Sequence, residues 1–179
     1  MKKALIVLGV LVVILLAFLG YQGAFTKVTV KESTSPGYLV VGIDHTGPYE
    51  KIGPAFERVS STCKSLGFEK PRMMGVYFDN PDSVAKEDLR ALAAVVLSIP
   101  EDSALFLSQN GFRTFSIPPG NCLATELKTG GMISMVIAAM KAYPALGEAA
   151  MKNSNGRTVN HVYEVYEEGY IRFVMQFAD

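Results

Sequence analysis

The chain has 179 residues, and its 17 Lys and Arg balance 17 Asp and Glu to a formal charge of zero. That balance leaves nucleic-acid binding without an electrostatic basis and gives no support to charge-driven adhesion to a membrane surface. His45 and His161 are far apart, Cys63 and Cys122 form no CxxC, and no P-loop, dinucleotide fingerprint or Gly-x-Ser-x-Gly elbow occurs, so neither a metal nor a cofactor is expected.

Lys2 and Lys3 precede an uncharged stretch from Ala4 to Thr26. Its most apolar part, Ala4 to Leu19, approaches the length that crosses ~30 Å of hydrocarbon. After Leu19 no pair of small residues has signal-peptidase spacing, so residues 1–25 read as an uncleaved anchor; a cleaved signal peptide is the rival. Short basic flanks stay cytoplasmic, which predicts a single-pass protein with a cytoplasmic N-terminus and an extracytoplasmic domain over residues 26–179. Without Lys2 and Lys3 that part has 15 basic and 17 acidic residues, a net of −2.

Phe25 to Glu32 alternates, with Val28 and Val30 on one face, and predicts an opening strand. A turn at Pro36-Gly37 leads to a strand over Tyr38 to His45. Gly47-Pro48 begins a helix whose apolar stripe is Tyr49, Ile52, Phe56, Val59, Cys63 and Leu66, regular from about Pro54 and stopped at Gly67. Cys63 on that stripe reads as a small buried hydrophobe; a disulfide with Cys122 in an exported domain is the alternative. Strands follow at Met73 to Asp79, broken by Asn80-Pro81, and within Leu89 to Ile99. A short helix spans Ser103 to Asn110. Strands over Phe112 to Ile117 and Cys122 to Lys128 flank the Pro118-Pro119-Gly120 corner. Gly130-Gly131 opens a second helix with an inward stripe of Ile133, Val136, Ile137, Met140 and Tyr143, interrupted by Pro144. Val159 to Tyr166 and Tyr170 to Phe177 form a final hairpin. The order is β-α-β-β twice. This predicts an α+β fold: duplicated units in a joined antiparallel sheet, two main helices on one face, and an N-terminal transmembrane helix. The junction between the halves is the natural cleft.

Three segments carry a family resemblance: His45-Thr46-Gly47-Pro48-Tyr49, Val76-Tyr77-Phe78-Asp79-Asn80-Pro81 and Glu164-Val165-Tyr166. Together they resemble the GyrI-like small-molecule-binding domain family. Gly111-Phe112-Arg113-Thr114-Phe115-Ser116-Ile117-Pro118 and Tyr143-Pro144-Ala145-Leu146 are similar to its membrane-anchored branch, typified by the testis-expressed ER-phagy receptor of animals. The resemblance implies an aromatic cleft with a glutamate pointing into it. In some relatives such a glutamate hydrolyses strained cyclopropane rings.

Glu164 is the leading candidate. Alternation puts it with Val162 and Tyr166 on one face, opposite His161, Tyr163 and Val165. As an anion it would pair with a hydrophobic cation above aromatic rings; as a base it would activate water. An ordinary exposed strand glutamate is the plain alternative. Tyr77 shares a face with Gly75 and Asp79, away from Met74, Val76 and Phe78, and reads as a cleft phenol or a half-buried strand tyrosine. Tyr49 reads as a cleft wall or the first rung of the helix stripe. Asp79 belongs to a turn, and His45 to a structural hydrogen bond near the helix start. The expected ligand-binding set is Glu164, Tyr77, Tyr49, Tyr166, Phe112 and Met74, with Glu164 catalytic if the domain is an enzyme.

The expected function is capture of an amphipathic or aromatic small molecule, lipophilic cations included. A Glu164-dependent hydrolase of electrophilic or strained compounds is one alternative; an adaptor recruiting a protein partner at the membrane is another. A nucleophile–His pair is missing, which favours binding over catalysis.

Overall fold

The computed structural model describes residues 2–99, 102–153 and 156–178. Helix α1 (Lys2–Tyr21) is followed by β1 (Lys31–Ser35), β2 (Tyr38–Thr46), α2 (Gly53–Ser65), β3 (Met73–Tyr77), β4 (Arg90–Val96) and α3 (Ser103–Leu107). Then come β5 (Phe112–Ile117), β6 (Gly120–Lys128), α4 (Met132–Asn153), β7 (Val159–Glu167) and β8 (Tyr170–Phe177). Helix α1 is long and apolar enough to cross a membrane and buries none of its residues.

The described strands form one antiparallel sheet in the order β1-β6-β8-β7-β3-β4-β2-β5. The predicted α+β duplication is present: β2-α2-β3-β4 and β6-α4-β7-β8 occupy the two halves. They meet where β3 pairs with β7, Gly75 opposite Glu164.

Two short connections determine the shape of the sheet. Only residues 36–37 separate β1 from β2, and only 118–119 separate β5 from β6. Each pair lies six strand spacings apart in sheet order. A flat sheet would need about 29 Å, and three Cα steps reach about 11 Å. The sheet must therefore curl, bringing its two ends together. Gly37, at φ +79°, makes one of these corners; a Cβ there would stand 2.9 Å from the Pro119 ring. Inside the curl pack Val40, Met74, Val76, Leu92, Ile117, Tyr163, Val165 and Val174. On the outer face α2 covers Val41, Ala93 and Val95, and α4 covers Leu123, Ile171 and Phe173.

The α2 stripe lies inward as its spacing predicts, with Val59 and Cys63 fully buried. A single 3₁₀ turn at Tyr49–Lys51 precedes it, because Gly53-Pro54 delays the regular helix. His45 Nε2 lies 3.0 Å from the Pro48 carbonyl oxygen and closes the entry turn.

Three expectations are corrected. The opening strand is Lys31–Ser35, paired with β6; Val28 and Val30 lie outside the sheet and pack against the α4 cluster. Pro144 does not interrupt α4, which runs through it. It faces solvent, so the Met140 carbonyl that loses its donor is open to water. The α4 stripe is also turned. Ala138, Ala142, Leu146 and Ala150 are buried, whereas Ile133, Val136 and Met140 are exposed. Small side chains let the helix axis lie close to the sheet.

Cys63 and Cys122 are free and buried on opposite faces of the sheet. Burial pushes the Cys63 thiol up to about 11 and the Cys122 thiol upward too. Both should resist a thiol reagent in the native protein and react in denaturant without prior reduction. An oxidised pair in the purified chain would contradict this.

Candidate functional site

The β3–β7 pairing places Gly75, Tyr77, Glu164 and Tyr166 on the helix-covered face, at the seam between the α2 and α4 clusters. Glu164 is 5% exposed. Tyr77 and Tyr166 each stand two residues beyond the Gly75–Glu164 pair, on their own strands. In an antiparallel pair these positions flank the central pair diagonally. Gly75 supplies the room: a Cβ there would lie 3.1 Å from Tyr77 Oη and 3.3 Å from Phe56 Cζ.

Three phenols converge on the carboxylate. Tyr143 Oη donates to Glu164 Oε1 at 2.6 Å, Tyr166 Oη to Oε2 at 2.5 Å, and Tyr77 Oη to Oε2 at 3.1 Å. The surrounding rings meet edge to face, which suits their quadrupoles. Tyr49 lies on Tyr77 at 4.9 Å between centroids, Phe56 on Tyr166 at 5.3 Å, and Tyr143 on Phe173 at 5.7 Å. Among the described residues, the hydrogen-bond partners of Glu164 are all neutral phenols, and it enters no salt bridge.

Burial raises the Glu164 carboxyl above its ordinary value, and the three phenol hydrogen bonds only partly oppose this. The Tyr77, Tyr143 and Tyr166 phenols lie well above theirs, first through burial and then through the adjacent Glu164 charge. They remain neutral donors at physiological pH. The site is thus a buried acidic group in an aromatic shell, with no cationic partner among the described residues.

Four of the six expected residues meet here, though Tyr49 contributes its ring only. Its hydroxyl donates to the Asp79 carbonyl at 2.8 Å and lies 3.2 Å from the Arg90 carbonyl, pinning the β3–β4 connection. Met74 does not belong. It points into the curl of the sheet, fully buried, because strand alternation sends it opposite to Tyr77. Phe112 does not belong either. It sits on edge strand β5, four strands from β7, and packs on Phe106 at 5.8 Å. Asp79 binds Arg90 instead of the site, accepting its backbone N–H at 2.7 Å and its guanidinium at 2.8 and 3.0 Å. That guanidinium holds the Asp79 carboxyl below its usual range. His161 faces Phe115 on the opposite side of the sheet, at 5.9 Å.

Tyr143, Phe56 and Phe173 join this cluster and are absent from the expected set. Tyr143 and Phe56 are stripe residues of the two helices, and a tyrosine on an inward stripe needs a buried partner for its hydroxyl. That was the available signal for Tyr143.

Residues 29–170 match the family described as GyrI-like small molecule binding domain. The chain is 30% identical to the testis-expressed protein 264 homolog of Mus musculus over 170 residues, covering 90% of this chain and 53% of that one. It therefore spans about half the length of this curated relative. The EcmrR C-terminal domain has a similar fold, with a TM-score of 0.57, 13% identity and coverage of 85% of this chain and 98% of that one. SAV2435 bound to tetraphenylphosphonium resembles it at a TM-score of 0.52 and 12% identity, over 84% of this chain and 94% of that one. With its family match running from before β1 to the start of β8, the chain belongs to the GyrI-like small-molecule-binding domain family.

Proposed function

We propose that the domain binds a lipophilic aromatic cation at the seam between its halves, with Glu164 as counter-ion and Tyr77, Tyr143, Tyr166, Phe56 and Tyr49 as walls. The carrying observation is the Glu164 carboxylate, buried under three phenols with no charged partner among the described residues. A buried charge of this kind is costly, and a desolvated cation over aromatic faces would offset that cost. Tetraphenylphosphonium, to which SAV2435 is bound, has this chemistry. Entry requires the tyrosine rings to swing aside, because the carboxylate is covered. The same cover weighs against hydrolysis: a general base must reach the proton it abstracts directly or through one water, and here both carboxylate oxygens are taken by phenols.

Residues 1–25 act in this proposal as a membrane anchor, with Lys2 and Lys3 cytoplasmic and residues 26–179 on the other side. The length and hydropathy of α1 support it. A C-terminal alkaline phosphatase fusion should then be active, and activity only from a cytoplasmic reporter would reverse the orientation.

The binding proposal is tested by thermal shift with tetraphenylphosphonium, on the wild type and on Glu164→Gln. Ligand at 100 times its dissociation constant stabilises by about 2.7 kcal/mol. The wild type should shift by this amount and the variant by about half of it or less. Equal shifts would remove Glu164 from the site.

A further inference from the structure

Helix α4 presents a second apolar face, directed away from the sheet. Ile133, Val136, Met140 and Met151 are 51%, 54%, 72% and 79% exposed. Their spacing, with Ile137, Pro144 and Gly147 between them, follows one side of the helix. The inner side is the Ala138–Ala142–Leu146–Ala150 row, so α4 is apolar on both sides. Its polar flank carries Lys141, Glu148 and Lys152. A water-soluble surface has no use for such a stripe, and large exposed apolar patches mark contact sites.

The chain leaving α1 lands on this helix. Lys141 Nζ donates to the carbonyl oxygens of Gly23 and Ala24, both at 2.9 Å, and to that of Thr26. Gln22, Gly23 and Thr26 also face Ser134, Ile137, Ala138 and Lys141 across a shared crevice. Helix α1 has 20 residues, which at 1.5 Å each give about 30 Å, the thickness of the hydrocarbon core. The Gly23–Thr26 turn then falls in the headgroup layer, about 5–8 Å deep, and Lys141 is held there with it. Exposed Tyr21 and Phe25 flank the same turn, in the position of interfacial aromatic anchors.

We infer that α4 is an interfacial membrane helix: its Ile133–Val136–Met140–Met151 stripe lies in the headgroup–acyl boundary of the bilayer that α1 enters. This rests on the anchor proposed above. Amphipathic helices at this depth bury their apolar face ~5–10 Å into the boundary. The ligand seam is lined from the same helix by Tyr143, so a lipophilic cation would reach it from the lipid surface.

The test uses the full chain in liposomes, labelled with an environment-sensitive fluorophore at one introduced thiol. Val136→Cys and Met140→Cys read the stripe, Leu11→Cys reads the anchor, and Glu57→Cys on α2 is the aqueous control. The native thiols are buried and the substituted positions exposed. Blue-shifted emission, lost to lipids carrying a nitroxide, is expected at Leu11, Val136 and Met140 but not at Glu57. Loss at Leu11 alone would overturn the docking and keep the anchor. Loss at none of the four would overturn the anchor and the docking with it. Blue-shifted but unquenched emission at Val136 and Met140, rising with protein density, would assign the stripe to a second copy and overturn the docking.

Discussion

Gly42→Val should cost the domain at least about 3 kcal/mol, the upper end of ordinary overpacking penalties and beyond. Gly42 is buried within β2, paired with Ala94 on one side and Arg113 on the other. A Cβ built there would stand 2.1 Å from the Ala93 carbonyl oxygen and 2.7 Å from the Ala94 Cα. These are backbone atoms of a central strand, so no rotamer change relieves the clash; β2 and β4 would have to part. A glycine inside a strand often marks such a close approach. Chemical denaturation would read the loss. A midpoint unchanged from wild type would mean that β2 and β4 lie further apart than described. At Gly75 the nearest atoms are side-chain tips, Tyr77 Oη at 3.1 Å and Phe56 Cζ at 3.3 Å. Gly75→Ala should therefore disturb ligand binding more than folding, seen as weaker tetraphenylphosphonium affinity with a nearly unchanged melting temperature.

Glu164→Gln should lower cation affinity by about 10- to 100-fold, the equivalent of ~1.5–3 kcal/mol for interactions with a charged group. It should also change how stability follows pH. The Glu164 carboxyl is raised in the folded protein, so between its unfolded and folded values the native state binds the additional proton. The stability it contributes is fully present below the unfolded value of about 4.3 and is lost as pH rises through the folded value. A glutamine has no such titration. The stability of the variant relative to wild type should therefore rise across that window. The three facing phenols stay protonated throughout, since burial places them well above their ordinary values. Denaturant midpoints measured at intervals upward from pH 4 would show the divergence; parallel curves would mean that Glu164 is not desolvated.

Much of the seam was legible because period-two alternation is local. It put Glu164 with Tyr166 and Tyr77 with Gly75 before any pairing was known, and β3–β7 register then joined the two sets. The same alternation turned Met74 away from Tyr77, against its inclusion in the expected set. Tyr143 reaches Glu164 only through packing of α4 on β8 and β6, which no local pattern encodes. The α4 stripe was misread because hydropathy favours large side chains for the interior. Close helix–sheet packing selected alanines, and the large residues on the other side are accounted for by the proposed bilayer contact. The turn at Pro36-Gly37 and the corner at Pro118-Pro119-Gly120 were visible in the sequence, but their two-residue lengths and the curl they impose follow only from the observed strand bounds and sheet order.

The central claim is that Glu164 meets a cation as a carboxylate. A cation bound by Glu164 must displace its proton, so isothermal titration of tetraphenylphosphonium into the full chain should be repeated across a pH series. Below the folded value of Glu164, affinity should rise by about tenfold per pH unit and then level off, while Glu164→Gln gives weak, flat binding. Wild-type affinity that is independent of pH and equal to that of the variant would contradict the account.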